Sequence, residues 1–412
     1  MSELCARQAV ITGCGSVSPL GTGVPALWEG LLAGRSGIAP IRSFDASAYE
    51  HRLAAEVADF DPAADLSQDE VRRLDRVSQL ALVAAREALR DAGLDLTATD
   101  RTRVGVLVAT TLGGIRIGEE YQRSRREGRP FAARRLLRLP YYATATCLAR
   151  ELGVRGPVIS PSIACASGTQ AVGLALELIR RGHADAFVVG GAETVCEFVV
   201  SGFNCLRATT GETVRPFDTR RDGLSVGEGA AMLVVESAAH AAGRGARPAV
   251  EVAGTGLSGD ATHMTAPARD GVGAARAMRA ALADAGAEPA DVDFISAHGT
   301  GTLYNDAMEI AAIGAVFGEG VARIPINSIK GAIGHTLGAA GSFEAILCAR
   351  VLTEGVIPPT VHCDDLDADC PLDIVRGAPR AVTARTVLST SSAFAGNNAA
   401  LVLRRFAAAD RE

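Results

Sequence analysis

A chain of 412 residues, 48% hydrophobic and 21% charged, is long enough to bury a large core and exceeds one ordinary domain. Its formal net charge of −6 argues against a nucleic-acid binder as a whole, while leaving room for local basic patches. With 45 glycines, 4% aromatic residues and many short Ala/Val/Ile/Leu runs, the composition fits a layered α/β protein and excludes the disordered and fibrous classes.

In chain order, short β-rich runs alternate with stretches whose apolar residues recur at three and four positions. Strands are predicted at 9–12 and 104–109, a helix at 168–181, and strands at 186–189, 231–236 and 250–253. A helix follows at 273–284, a strand at 293–296, a helix at 306–317, a strand at 324–327, a helix at 341–352 and a strand at 399–403. The pattern implies sheets covered by helices. A faint internal repeat is visible. Residues 158–168 run from a strand through a small-residue turn into a helix, and residues 324–341 do the same through a Gly-rich turn. The Ala/Gly/Arg-rich stretch 238–248 suits a seam between halves 1–245 and 246–412.

Nine cysteines are scattered from Cys5 to Cys370 with no CxxC pair, which suits free thiols in a reducing compartment, the cytoplasm. Residues 1–7 lack the basic-then-apolar pattern of a secretory leader, and no apolar run reaches the ~18 residues of a membrane span.

Three places can carry chemistry. Cys165 lies between a β-like run and a helix, flanked by Ala164, Ala166, Ser167 and Gly168. Small neighbours leave its sulfur accessible, and a helix N-terminus favours a thiolate. A buried structural cysteine is the alternative. His298 directly follows a strand in a Gly/Thr turn, a position for a catalytic imidazole or for a merely solvated one. Lys330 and His335 flank a Gly-rich turn, where a buried Lys beside a His could hold a proton or orient a carboxylate; a surface ammonium is the alternative. Two further patterns are set aside. Gly13-Cys14-Gly15 half-matches a dinucleotide turn but lacks its third glycine. His362, Cys363 and Cys370 among aspartates fit no standard zinc spacing, so no metal is expected.

Taken together, the chain resembles the β-ketoacyl–acyl-carrier-protein synthases of the thiolase superfamily, nearly end to end. The matching segments include Ala164-Cys165-Ala166-Ser167-Gly168, Arg215-Pro216-Phe217-Asp218, Gly227-Glu228-Gly229-Ala230, His298-Gly299-Thr300-Gly301-Thr302, Lys330-Gly331-Ala332-Ile333-Gly334-His335 and the Gly396-Asn397-Asn398 loop. Cys165 with two histidines and Lys330 is similar to the elongating branch. The resemblance implies a thiolase-like, duplicated, five-layered α-β-α-β-α fold, normally dimeric. It implies a decarboxylative Claisen condensation: Cys165 takes an acyl group from a carrier protein's phosphopantetheine, and the carbanion from a malonyl-carrier thioester attacks it. The implied oxyanion hole is the N–H groups of Cys165 and Phe394. His298 and His335 would stabilise the enolate, Lys330 and Glu309 would form a supporting pair, and Thr300 and Thr302 would contact the pantetheine arm. Leu112, before Gly113-Gly114, matches the acyl-pocket position, although an ordinary core leucine fits too. Arg72, Arg73 and Arg207 match carrier-docking positions, and Arg134, Arg135 and Arg138 align more loosely. No cofactor is implied beyond the arm that the carrier delivers. The expected partners are an acyl carrier protein and a second subunit, identical or a ketosynthase-like chain-length partner, with neither nucleic acid nor membrane.

The pattern departs from the family in its last loop, Ala393-Phe394-Ala395-Gly396-Asn397-Asn398 in place of Gly-Phe-Gly-Gly-Thr-Asn, and Ser392 stands where Phe is common. Fatty-acid, polyketide and polyene pathways therefore all remain open. Two other readings compete. A non-catalytic chain-length partner would lack the nucleophile. A CoA-dependent thiolase would carry a second Cys near 394–398, where none occurs.

Overall fold

The computed structural model describes residues 8–407. Residues 1–7, read above for a leader and including Cys5, lie outside the described residues. One large 12-stranded sheet organises the chain: eleven strands form a continuous path, and Gly21–Thr22 pairs with Ala9–Ser18 off it. Its order is Asp373–Ile374, Pro325–Asn327, Phe294–Ser296, Thr386–Ser392, Asn397–Arg405, Val250–Gly259, Ala9–Ser18, Gly229–Ser237, Ala186–Glu193, Val104–Ala109, Val158–Ile159.

The path is two mirrored runs joined at its centre. There Ala9–Ser18 pairs antiparallel with Val250–Gly259 over three residues, with Val10 opposite Glu251. Outward on one side the neighbours are antiparallel, antiparallel, parallel, parallel. Outward on the other side the same sequence of pairings recurs. Even the irregularities repeat: one register shift lies between Ile11 and Gly13, the other between Val252 and Gly254.

Helices and the two runs of the sheet make five layers. Arg76–Ala92 covers the outside of Ala9–Ser18 and Gly229–Ser237, and Val272–Ala285 covers Val250–Gly259 and Asn397–Arg405. Between the two runs lie Ser167–Arg180 and Ala340–Glu354, in contact with each other. The latter is buried from Ala340 to Ala349, as expected of a helix that is apolar all round. This is the thiolase-like α-β-α-β-α architecture. Gly13 and Gly15 prove to be packing residues inside a strand. A side chain at either would strike the backbone of Ala84 or Ala88 on the outer helix, and Gly254 and Gly256 repeat this against Ala277 and Ala281.

The predicted strands and helices all exist, mostly longer than expected. Strand 9–12 extends to Ser18, and helix 306–317 begins at Leu303, where Thr302 caps it by accepting from the Asn305 N–H. The helices Arg76–Ala92, Ile115–Arg126, Tyr142–Leu152 and Glu197–Cys205 and the strand Thr386–Ser392 were not anticipated. No helix among the described residues is long and apolar enough to cross a membrane.

Candidate active site

Cys165 stands one residue before the N-cap of Ser167–Arg180. Ala164 just before it has φ 53°, a left-handed conformation that costs a non-glycine residue on the order of 1–3 kcal/mol. The surroundings enforce it: Ser167 Oγ donates to Ala164 O at 2.5 Å and accepts from the Ile163 N–H at 2.8 Å. The sulfur is buried. Burial pushes the thiol up to about 12; Lys330 opposes this, while Glu193 and Glu344 add to it. Burial therefore works against the helix terminus, which favours the thiolate.

His298 follows Phe294–Ser296, and two buried carboxylates of the helix Leu303–Phe317 hold its turn. Glu309 accepts from the N–H groups of His298 and Gly299, each at 2.7 Å, and from Thr390 Oγ1 at 2.7 Å. Asp306 accepts from the N–H groups of Thr300 at 3.0 Å and of Gly301 at 3.1 Å. The turn needs glycines, since φ is 37° at Gly299 and 75° at Gly301.

Lys330 is fully buried, not a surface ammonium. Its Nζ donates to Glu344 Oε1 at 2.6 Å and to His298 O at 2.5 Å, and lies 3.3 Å from His298 Nδ1. The expected Lys330–Glu309 pair does not exist: Glu344, on the central helix Ala340–Glu354, is the partner. Glu309 instead acts on backbone, because its helix lies beneath the His298 turn. An ammonium at Nδ1 forces that nitrogen to accept, so the His298 proton sits on Nε2 as a donor. A relay continues to the nucleophile's helix. Ser391 Oγ donates to Glu344 Oε2 at 3.3 Å and lies 2.7 Å from Thr169 Oγ1. His335 meets His298 edge to face, ring centroids 5.3 Å apart. Burial and the Lys330 charge hold both imidazoles well below their ordinary range, so both are neutral at pH 7.

Cys165, His298 and His335 line one cavity of about 250 Å³, with Phe394, Phe203, Thr300, Thr302 and Arg207 among its other walls. Thr300 and Thr302 have their hydroxyls 2.9 Å apart. The Phe394 N–H has no acceptor among the described residues, whereas its neighbours are engaged: Ala393 N–H with Asn397 O, Ala395 N–H with Met264 O. Ala395 adopts φ 64° where the family has glycine. Leu112 lies behind the cavity in a buried apolar cluster with Cys165, Val195, Val199, Phe203 and Leu337. Arg72 and Arg73 are apart from it on the short helix Gln68–Arg73. Arg73 forks onto Glu151 at 2.8 and 3.1 Å, whereas Arg72 is well exposed. Arg135 is paired with Glu120.

Sequence reasoning missed Glu344, Ser391, Thr169 and Glu193. Glu344 had a signal: a single acid among the apolar residues of 340–349 must have a buried cation. His362, set aside as a metal ligand, has its Nδ1 2.9 Å from Thr213 Oγ1.

Residues 6–241 match the family described as beta-ketoacyl synthase, N-terminal domain, and residues 249–364 match beta-ketoacyl synthase, C-terminal domain. The chain belongs to the β-ketoacyl synthases. It is a ketosynthase, a condensing acyltransferase of fatty-acid or polyketide synthesis. The 3-oxoacyl-[acyl-carrier-protein] synthase 2 of Staphylococcus aureus (strain COL) is 39% identical over 98% of this ketosynthase and 99% of its own length. The solved ishigamide ketosynthase/chain length factor superposes with a TM-score of 0.93 at 41% identity, covering 98% of this chain and 100% of that one. A type II polyketide ketosynthase in complex with its acyl carrier protein, AntDE:AntF, superposes at 0.88 with 31% identity, covering 98% and 100%.

Proposed function

We propose that this ketosynthase condenses a Cys165-bound acyl group with a malonyl unit, both delivered on an acyl carrier protein's phosphopantetheine. The observation that carries the reading is one cavity holding Cys165, His298 and His335, with Lys330 fixing the His298 tautomer. In the first half-reaction the Cys165 sulfur attacks the acyl thioester carbonyl. Its proton passes through a neutral imidazole to the departing pantetheine sulfur. In the second, the malonyl carboxylate leaves as CO₂ and its electron pair becomes an enolate. The enolate oxygen accepts hydrogen bonds from His298 and His335. The carbanion then attacks the acyl–Cys165 carbonyl, and the tetrahedral oxygen falls between the N–H groups of Cys165 and Phe394. Preorganised donors of this kind, in a water-excluded site, supply much of such a rate enhancement. Collapse releases the β-ketoacyl carrier and the Cys165 thiolate, which takes up a proton from water.

The arm enters past Thr300, Thr302 and Arg207, and the acyl chain runs toward Leu112. Arg72, Arg73 and Arg207 steer the acidic carrier. No resident cofactor or metal takes part in this scheme. The enzyme works in the cytoplasm, independently of nucleic acid and membrane. It pairs with a second copy or, as the ishigamide assembly's name indicates for that protein, with a chain length factor. The test is intact-mass analysis of carrier products after mixing acyl-carriers of varied length with malonyl-carrier. A two-carbon-extended β-ketoacyl carrier is expected. No condensation with any donor would overturn the reading.

A further inference from the structure

Glu193 ends the strand Ala186–Glu193, is completely buried, and has no part in the scheme above. Its Oε1 accepts from Thr110 Oγ1 at 3.1 Å and from the Thr111 N–H. Thr110 Oγ1 in turn accepts from the Gly113 N–H at 2.9 Å, closing the turn that carries Leu112. The Leu112 and Gly338 N–H groups also favour the ionised carboxyl, and a side chain at Gly338 would strike Oε1. One carboxyl thus ties three segments: the Leu112 turn, the Leu337–Gly338 turn that follows His335, and the strand end leading through Val195 and Cys196 into Glu197–Cys205. Leu112, Val195, Cys196 and Leu337 all belong to the apolar cluster around Cys165.

We propose that Glu193 is a positioning residue that sets the shape of the acyl pocket and, through its charge, the ionisation of Cys165. The inference rests on Cys165 being the acyl-bearing nucleophile. The charged groups facing Cys165 are Lys330 as cation and Glu193 and Glu344 as anions, with His298 and His335 lining the same cavity. Burial raises the Glu193 carboxyl to about 7, so its charge changes within the working pH range. Ionised, it clamps both turns and resists thiolate formation. Neutral, it accepts more weakly from the Thr110 hydroxyl and the backbone N–H groups, holds the Leu112 turn less firmly and lifts its repulsion from the thiol.

The test compares wild type with Glu193→Gln, which keeps the shape and an acceptor but cannot ionise. The first readout is iodoacetamide alkylation of Cys165, mapped by peptide mass, against pH. The variant should react faster at pH 8, on the order of three- to tenfold, the effect of half to one pKa unit. The second readout is Cys165 acylation across a donor-length series. The wild-type length cutoff should move between pH 6 and 8, and that of Glu193→Gln should not. Thr110→Val, which cuts the link to the Leu112 turn and leaves the charge, should shift the cutoff with the alkylation profile unchanged. Wild-type behaviour of Glu193→Gln in both readouts overturns the proposal. Should that variant fail to fold, an unchanged cutoff in Thr110→Val overturns it. Wild-type enzyme acylated at another residue would instead refute the nucleophile assignment.

Discussion

Lys330→Met removes a buried cation while keeping most of its volume. Nζ has three contacts to lose, Glu344 Oε1, His298 O and His298 Nδ1, and nothing from solvent can replace them because Lys330 is 1% exposed. Breaking one side of a buried pair costs about 3–5 kcal/mol, since the remaining charge is stranded. Glu344 can soften this by taking a proton, because burial already raises its pKa. A loss of about 3 kcal/mol in equilibrium urea unfolding at pH 7 is therefore expected. Lys330→Met/Glu344→Gln strands no charge and should recover about 2 kcal/mol of it, a coupling within the range for contacting residues. Activity should not follow stability. Without Nζ the His298 tautomer is no longer set, and both imidazoles lose the nearby charge that adds to burial in keeping them neutral. Malonyl-carrier decarboxylation should fall on the order of 10²-fold in both variants, the scale for losing an oxyanion donor. A single-variant cost under about 1 kcal/mol, or decarboxylation that returns in the double variant, would refute the reasoning. A matching Lys330/Glu309 cycle should show no such coupling, since the structure places Glu309 on backbone N–H groups.

Leu112→Ala should extend the accepted acyl donors and Leu112→Phe should shorten them, each methylene being worth roughly 0.8 kcal/mol; an equal loss at every donor length would make Leu112 a core residue only. His335→Ala should leave Cys165 acylation measurable but depress decarboxylation, and a native decarboxylation rate would remove His335 from the enolate site. Glu309 is raised by burial from 4.5 to about 7, so the folded state holds its proton more tightly than the unfolded chain, and stability is lost as pH rises through that window. The stability of Glu309→Gln relative to wild type should accordingly climb between pH 4.5 and 7 by roughly 3 kcal/mol at most, then level off, and a flat difference in urea titrations would contradict the assignment. Arg72→Glu should raise KM for the carrier and weaken its salt dependence without lowering stability, whereas Arg73→Glu should also destabilise, because Arg73 is forked onto Glu151. Unchanged kinetics at low salt in both would count against the basic patch.

The elements legible in the sequence were those whose burial reads as periodicity. The run 104–109 became the strand Val104–Ala109 with its predicted bounds, buried throughout. The strand Thr386–Ser392 escaped because its Ser/Thr content reads as a loop. Its hydroxyls are tolerated inside because Thr390 and Ser391 satisfy Glu309 and Glu344. Arg76–Ala92 was missed although Val77, Leu80, Ala84, Ala88 and Leu89 among its buried residues recur at helical spacing, so its periodicity was legible. In the site, Cys165, His298, Lys330 and His335 were recognisable from their turns, and all four meet. The ion-pair partner was not: Glu309 and Glu344 lie 21 and 14 residues from Lys330, and only the packing of the central helix decides between them. The burial that raises the Cys165 thiol was not legible either, since it follows from the layers on either side of its helix.

Trapping the acyl group tests the central claim most directly. The enzyme is incubated with an acyl-carrier alone, quenched in acid, digested and mapped by mass spectrometry. One acyl group is expected on the peptide containing Cys165, absent from Cys165→Ala and discharged as a β-ketoacyl carrier when malonyl-carrier is added before the quench. Acyl label on any other residue, or undiminished labelling of Cys165→Ala, would contradict the account.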